Sequence, residues 1–375
     1  MIPFNKPVVA GDGLRYAMEA LRSPHQSGDG PFTRRCHAWL ESALGGSRAL
    51  LTTSCTHALE MAALLLNLDA NDEVIVPSFT FVSTANAFAL RGARIVFCDI
   101  RPDTLNLDES RLEDLITPHT RAVAVVHYAG VGCEMDRICA IAARHGLAVI
   151  EDNAHGLLGK FRGRHLGSFG MCSALSFHET KNFSCGEGGA LIINDAQFIA
   201  RAEVIREKGT DRSRFFRGEV DKYSWVDLGS SYVLADPLAA ILLGQFESSE
   251  LIQARRRAIW LRYFAGLTAW AAKQDVRLPE VPKECEHPWH LFYIVLPTHE
   301  ARSALIHHLR TLGIMAVFHY LPLHLSKMGR SFGRRYGQCP ITESISDRLL
   351  RLPFYFDLTP AEQSAVIEAV CDFSV

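Results

Sequence analysis

The 375-residue sequence contains no CxxC pair, although it carries ten cysteines. Their irregular spacing gives neither a zinc-ligand pattern nor a disulfide framework, so reduced thiols in a cytosol are expected. There is no excess of basic charge. The 39 Lys+Arg face 41 Asp+Glu, a formal net charge of −2, which leaves nothing to neutralise a nucleic-acid backbone. No apolar stretch approaches the ~20 residues that cross a bilayer. Met1 to Pro7 has no apolar signal-peptide core. These absences predict a cytoplasmic protein with neither membrane nor nucleic acid as its principal partner. Gly130-Val131-Gly132 stops short of a dinucleotide fingerprint, because Met135 stands where its third glycine belongs, and no Walker-type GxxxxGK or HExxH run occurs. His287-Pro288-Trp289-His290 and His319 to His324 are the best metal candidates, but neither has an evident carboxylate or thiolate partner. No metal is expected.

What is present is a composition typical of globular proteins, 48% hydrophobic and 21% charged. Short β-branched runs alternate with helical patterns over the first two-thirds. Residues 74–76, 94–98, 122–127, 148–151, 174–177 and 190–193 read as buried strands. Residues 56–68, 83–90, 108–116, 134–145 and 195–208 read as helices, the last with Asn194 or Asp195 as N-cap. This alternation predicts an α/β domain with a mostly parallel sheet covered on both faces. Residues 209–231 lack periodicity and read as a long ordered loop, a feature that is usually functional. A long helix is expected over 236–273. Leu278-Pro279-Glu280-Val281-Pro282 then marks a boundary between a large domain, 1–277, and a small C-terminal α+β domain, 278–375, with strands at 291–296 and 314–318 and a helix at 300–312.

Three sites carry chemistry. Thr53-Ser54-Cys55-Thr56 opens a strongly apolar helix. Hydroxyls and free N–H groups at a helix N-terminus make an anion site, although the same residues serve equally as an ordinary N-cap. Glu151-Asp152 ends a strand, where open α/β sheets bind their ligands; an aspartate capping the next loop would look the same. The next strand leads into Ser176-Phe177-His178-Glu179-Thr180-Lys181-Asn182 and then Gly186-Glu187-Gly188-Gly189. A lone lysine is commonly a solvated charge. Lys181, however, lies between a buried strand and a glycine cluster, and a lysine held in a pocket can lose its proton and form a Schiff base. The order of the three sites on successive strands points to pyridoxal 5′-phosphate. Its aldehyde needs a lysine, its pyridine nitrogen an acid and its phosphate a helix N-terminus.

Residues 54–61, 77–84, 151–156, 176–182, 206–210 and 315–324 resemble the DegT/DnrJ/EryC1/StrS family of sugar aminotransferases, and the resemblance extends over essentially the whole chain. It implies an aspartate-aminotransferase-like large domain (PLP fold type I). It makes Lys181 the Schiff-base lysine and Asp152 the partner of the pyridine nitrogen. Phe81 would stack on the ring, His155 would pack beside it near O3′, and Ser176, Cys55 and Thr56 would hold the phosphate. Family members are homodimers with shared active sites, and the neighbouring subunit supplies an Asn from a G-x-N-Y run. Here that run reads Gly229-Ser230-Ser231-Tyr232, so Ser231, with a shorter reach, takes the position. Dehydratase relatives replace the lysine by histidine; Lys181 favours amino transfer.

The implied reaction moves an amino group from L-glutamate to the C4 ketone of a nucleotide-linked sugar, TDP-4-keto-6-deoxy-D-glucose. The products are TDP-4-amino-4,6-dideoxy-D-galactose and 2-oxoglutarate. A sister enzyme acting on a 3-keto or GDP-linked sugar is the alternative, followed by a non-catalytic cofactor-binding regulator. Arg212, Arg214, Arg217 and Lys222 are candidates for the diphosphate. Asp29, Gly30 and Phe32, with His319, Tyr320 and His324, are candidates for contact with the sugar.

Overall fold

The computed structural model describes residues 1–45, 48–336 and 338–374. At its centre is an eight-stranded sheet. Across it lie Arg48–Thr52, Gly189–Ile193, Cys172–Ser176, Ala148–Asp152, Thr120–Val126, Glu73–Pro77, Arg94–Cys98 and Gly333–Tyr336. Only Gly189–Ile193 runs against its neighbours. The others are parallel, as the alternating sequence pattern predicts. Side chains alternate between faces as a pleat requires. Val74, Val76, Ala122, Ala124 and Ile150 pack with the helix Cys55–Leu65, whereas Ile75, Val96, Val123 and Val125 pack with Met135–His145. Both faces are therefore dry, which is why these strands read as continuous apolar runs.

Several elements differ from the sequence expectation. The helix expected over 236–273 is two, Asp236–Glu247 and Ser249–Lys273, broken at Ser248. Residues 108–116 hold only a 3₁₀ turn, Glu109–Arg111, and one helical turn, Leu112–Leu115. Asp195 does cap its helix start, accepting the N–H of Gln197 at 3.1 Å, but the first turn is 3₁₀ and the α-helix is Ile199–Arg206. The loop 209–231 contains a short helix, Arg212–Phe216. Residues 314–318 form no strand; Ile314 and Val317 make isolated bridges to Ile2 and Arg351.

The C-terminal core is closed by residues from elsewhere in the chain. Ile259, Trp260, Tyr263 and Leu267 of the long helix pack with Phe292, Ile294, Leu305 and Leu350, and Ile2 joins them. Gly333–Tyr336 meanwhile extends the large sheet. A cut between residues 277 and 278 would pass through both assemblies.

Along one edge of the sheet lie Pro77, Asp152, Ser176, Gly189 and Thr52, the ends of five adjacent or near-adjacent strands. The chemistry-bearing residues gather at this edge.

Candidate active site

The helix Cys55–Leu65 starts directly after the edge strand Arg48–Thr52. Ser54 is its N-cap and accepts the N–H of His57 at 3.1 Å. The backbone N–H groups of Cys55 and Thr56 meet no acceptor among the described residues, so the positive end of this helix stays open. Gly189 brings the next strand against this turn. A Cβ there would lie 2.3 Å from the carbonyl carbon of Ser54 and 2.4 Å from the nitrogen of Cys55, which explains the need for glycine. The Thr56 hydroxyl lies 2.8 Å from that of Ser83. Burial pushes the Cys55 thiol well above its usual value, and it stays protonated.

Asp152 is the last residue of its strand and 5% exposed. Its Oδ2 accepts the hydroxyl of Thr84 at 2.7 Å and its Oδ1 the N–H of Ala154 at 3.2 Å. Burial raises its pKa; those two hydrogen bonds and the nearby Lys181 oppose the rise without cancelling it. Its neighbour Glu151 points away and is fully buried. It accepts N–H bonds from Gly167, Phe169 and Gly170, each at 2.7 Å, and lies 2.9 Å from Nε2 of His127. Because His127 Nδ1 accepts the N–H of Cys133, Nε2 carries the proton and donates to Glu151. This web fixes the strand end from which Asp152 projects.

Lys181 lies in the turn after Cys172–Ser176, half-buried. Burial depresses its ammonium pKa, Asp152 pushes back, and Arg351 adds to the depression. An amine that readily gives up its proton results. Lys181, Ser176, Asn153, His155, Asn182 and His290 line one small pocket.

An aromatic and imidazole wall stands beside it. His155 stacks on His290 at 4.2 Å between ring centroids. Its Nδ1 accepts the N–H of Ala129, so Nε2 is the protonated nitrogen facing the hydroxyl of Tyr320 at 3.4 Å. Burial holds His155, His290 and His319 well below the ordinary histidine pKa. His319 stacks on Tyr320 at 3.7 Å, and its Nδ1 lies 2.7 Å from the Tyr128 hydroxyl. Phe81, at the start of the helix Val82–Ala89, is 56% exposed, with its ring 6.4 Å from that of Tyr320.

The structure thus brings together Cys55, Thr56, Phe81, Asp152, His155, Ser176, Lys181, His319 and Tyr320. Four other candidates are engaged elsewhere. Asp29 forms a two-pronged pair with the buried guanidinium of Arg206, at 2.8 and 3.2 Å. Gly30 lies against Asp236, whose carboxylate would be 2.3 Å from an added Cβ. Phe32 is 3% exposed and packs on Tyr16 in the core. His324 is buried between Ser78, 2.6 Å from its Nδ1, and Glu343, 3.3 Å from its Nε2. Contact with the sugar is not available to Phe32 or His324, and the polar groups of Asp29 are already paired. Arg212 lies 3.8 Å from Glu207 and over the ring of Phe216, while Arg214 pairs with Glu219 at 3.2 Å. Ser231 is exposed and bridges to Glu207.

Sequence reasoning missed several neighbours of the site. Asn182 donates to the carbonyl of Pro288 at 2.6 Å and accepts from His290 Nδ1 at 2.8 Å. The buried Arg256, whose pKa burial lowers to about 9, anchors the carbonyls of Trp289 and His290. Arg351 is a further cation near the wall, held by the Phe318 carbonyl at 3.0 Å. Asn182 adjoins Lys181 and could have been found by that adjacency. His290 carried only a metal-candidate signal and Arg351 none, because the partners that place them lie far away in sequence.

The residues fit pyridoxal phosphate. Open N–H donors at a helix start suit a phosphate, a buried carboxylate suits a protonated ring nitrogen, and an amine of depressed pKa suits an aldehyde. Among the described residues, no group of three or more His, Cys, Asp and Glu side chains is placed to hold a metal, and no helix is long and apolar enough to cross a membrane.

Fold and site together define a pyridoxal-phosphate-dependent aminotransferase of fold type I. The model of the DegT/DnrJ/EryC1/StrS aminotransferase family matches residues 10–371, and the chain belongs to that family of sugar aminotransferases. It is 32% identical over 379 residues to the spore coat polysaccharide biosynthesis protein SpsC of Bacillus subtilis strain 168, covering 99% of this chain and 96% of SpsC. Among solved structures, the aminotransferase TlmJ from Streptoalloteichus hindustanus is similar with a TM-score of 0.90 at 29% identity, covering 99% of this chain and 98% of TlmJ. DesV from S. venezuelae gives a TM-score of 0.89 at 30% identity, with 100% and 99% covered.

Proposed function

We propose that this sugar aminotransferase transfers the amino group of L-glutamate to the C4 ketone of TDP-4-keto-6-deoxy-D-glucose, giving TDP-4-amino-4,6-dideoxy-D-galactose and 2-oxoglutarate. The observation that carries the reading is the meeting of Lys181, Asp152 and the open start of Cys55–Leu65 at one sheet edge, beside the His155, His319 and Tyr320 wall. The choice of sugar rests on the sequence resemblance as a whole, over 54–61, 77–84, 151–156, 176–182, 206–210 and 315–324.

Pyridoxal phosphate, when bound, supplies the carbonyl that receives the amine and the ring that draws off electrons. Lys181 is the Schiff-base lysine. Its burial keeps it a competent base, so it takes the proton from Cα of glutamate and later delivers one to C4 of the sugar. Asp152 keeps the ring nitrogen protonated. Cys55 and Thr56 would hold the phosphate through their open backbone N–H groups, aided by the Ser176 hydroxyl. By the resemblance, Phe81 would stack on the ring of the bound cofactor and His155 would pack beside it. On this reading the enzyme is a homodimer in which the partner subunit's Ser231, shorter than the family's Asn, stands at the phosphate position, and Arg212 and Arg214 are the candidates for the sugar-linked diphosphate.

The deciding experiment incubates the purified protein with L-glutamate and a panel of nucleotide keto sugars, with the products assigned by NMR. Amination at C4 of the TDP-linked 4-keto sugar, with galacto configuration, is expected. Turnover confined to a 3-keto or GDP-linked sugar would overturn the substrate assignment, and cofactor binding without amino exchange would overturn catalysis itself.

A further inference from the structure

The two oxygens of Asp152 have different neighbours. Oδ1 takes the backbone N–H of Ala154, while Oδ2 takes the hydroxyl proton of Thr84 at 2.7 Å. A threonine hydroxyl has one proton to give. With that proton on Asp152, the 2.7 Å contact between the hydroxyls of Thr84 and Thr80 runs the other way, Thr80 donating. The result is a directed chain, Thr80 to Thr84 to Asp152. Its members are 2%, 0% and 5% exposed, so water does not compete for these bonds. Both threonines belong to the turn that follows Glu73–Pro77 and the first turn of Val82–Ala89, the segment that also presents Phe81. Neither lies at an open surface.

We infer that Thr84, backed by Thr80, is a positioning residue for amino transfer: its hydroxyl holds Asp152 in one rotamer and in the carboxylate form. The inference rests on the proposed pairing of Asp152 with the pyridine nitrogen. Chains of hydrogen bonds polarise one another in a dry interior, so the Thr80 bond strengthens the one that Thr84 makes.

The surroundings offer little to replace it. The titratable groups facing Asp152 are Lys181, His127, Cys55 and Tyr320. Cys55 and Tyr320 are held protonated by burial and carry no charge. His127 accepts the Cys133 N–H on Nδ1 and is the neutral tautomer. Burial lowers the pKa of Lys181, and Lys181 is the group consumed in binding the aldehyde. Burial already pushes Asp152 upward, and the Thr84 bond is the strongest influence against it. Without that hydroxyl, Asp152 takes up its proton at a higher pH, and the ring nitrogen loses its carboxylate partner earlier as pH falls. The defect is therefore largest in acid and fades in alkali.

The test is Thr84→Val, close in shape and lacking only the hydroxyl. The cofactor dissociation constant, followed by absorbance from pH 5.5 to 9, should rise about 10-fold at pH 6 and no more than about 2-fold at pH 8.5, the size of one lost hydrogen bond to a charged group. The acid limb of kcat should move up in step, with KM for the sugar little changed. Thr84→Ser should restore both. Thr80→Val should shift the limb in the same direction by less, and it carries the test if Thr84→Val fails to fold. Asp152→Asn separates this inference from the reading beneath it. If that variant keeps the parental acid limb, Asp152 does not serve the ring nitrogen and the inference falls with it. If Asp152→Asn abolishes the limb while Thr84→Val and Thr80→Val leave it unmoved and merely lower the melting temperature, Asp152 stands and Thr84 is only a packing residue.

Discussion

Two helices of this chain begin in opposite ways. At the start of Pro31–Ala43, Asp236 takes the N–H of Thr33 and its hydroxyl, each at 2.8 Å, and the N–H of Phe32 at 3.3 Å. That terminus is closed by a carboxylate from the protein itself. At the start of Cys55–Leu65 the N–H groups of Cys55 and Thr56 are left open. Sequence alone places candidate substrate or cofactor residues at both. The structure teaches that a helix start becomes an anion site only where no internal acid reaches it first. The closed one is architecture, and Gly30 is required there because Asp236 sits where a side chain would go.

The comparison can be broken by substitution. The largest effect belongs to the open side. Lys181→Ala should lower turnover at least ~1,000-fold, as expected for loss of both Schiff base and proton carrier, and remove the absorbance of lysine-bound cofactor; a protein that stays yellow in the same way would refute the assignment. Next comes Asp236→Ala, which uncaps the closed terminus of a residue 1% exposed. It should cost about 2 kcal/mol of stability, read as a lower melting temperature, with kcat per folded molecule unchanged. A large loss of kcat would show that the closed terminus serves catalysis after all.

Gly189→Ala sharpens the contrast from the opposite direction. Its Cβ would meet Ser54 and Cys55 at under 2.5 Å, so the open terminus must shift. Cofactor affinity should fall about 10-fold, on the order of 1.4 kcal/mol, and unaltered affinity would remove the phosphate from this turn. The subtlest measurement is a pH series on cofactor attachment to the cofactor-free protein. The reactive form of Lys181 is the neutral amine, and burial lowers its pKa below 10.5. Attachment should therefore speed up as pH rises and level off below pH 10.5. A midpoint at or above that value would contradict the burial argument.

How much of this was legible in the sequence depended on the range of the interactions. Residues 74–76 and 122–127 were readable because strands dry on both faces leave unbroken apolar runs. Lys181, Asp152 and Cys55 were readable because each sits within a few residues of the strand or helix end that places it. Arg48–Thr52 and Gly333–Tyr336 were not. The first, Arg48-Ala49-Leu50-Leu51-Thr52, has no β-branched residue before Thr52, and the second, Gly333-Arg334-Arg335-Tyr336, carries no apolar run, yet both pair with strands far off in the chain. The break at Ser248 was hidden because the sequence on either side favours helix. The roles of His290, Arg256 and Thr84 could not be read, since each acts through a partner between 33 and 108 positions away. His324 looked available from its motif, and only the fold reveals Ser78 on one side of its ring and Glu343 on the other.

The strand Gly333–Tyr336 has one more consequence, for the birth of the protein. It covers the outer side of Arg94–Cys98, and Asp99 just beyond fixes the start of Pro340–Arg348 through the N–H groups of Ile341 and Thr342. A ribosome must therefore emit the chain as far as residue 336 before this flank of the sheet has a neighbour. Until then Arg94–Cys98 is a bare edge, the kind that recruits strands from other molecules. Nascent chains stalled or cleaved ahead of residue 333 should be the ones that clump, and the speed of translation between residues 98 and 333 sets how long each molecule runs that risk.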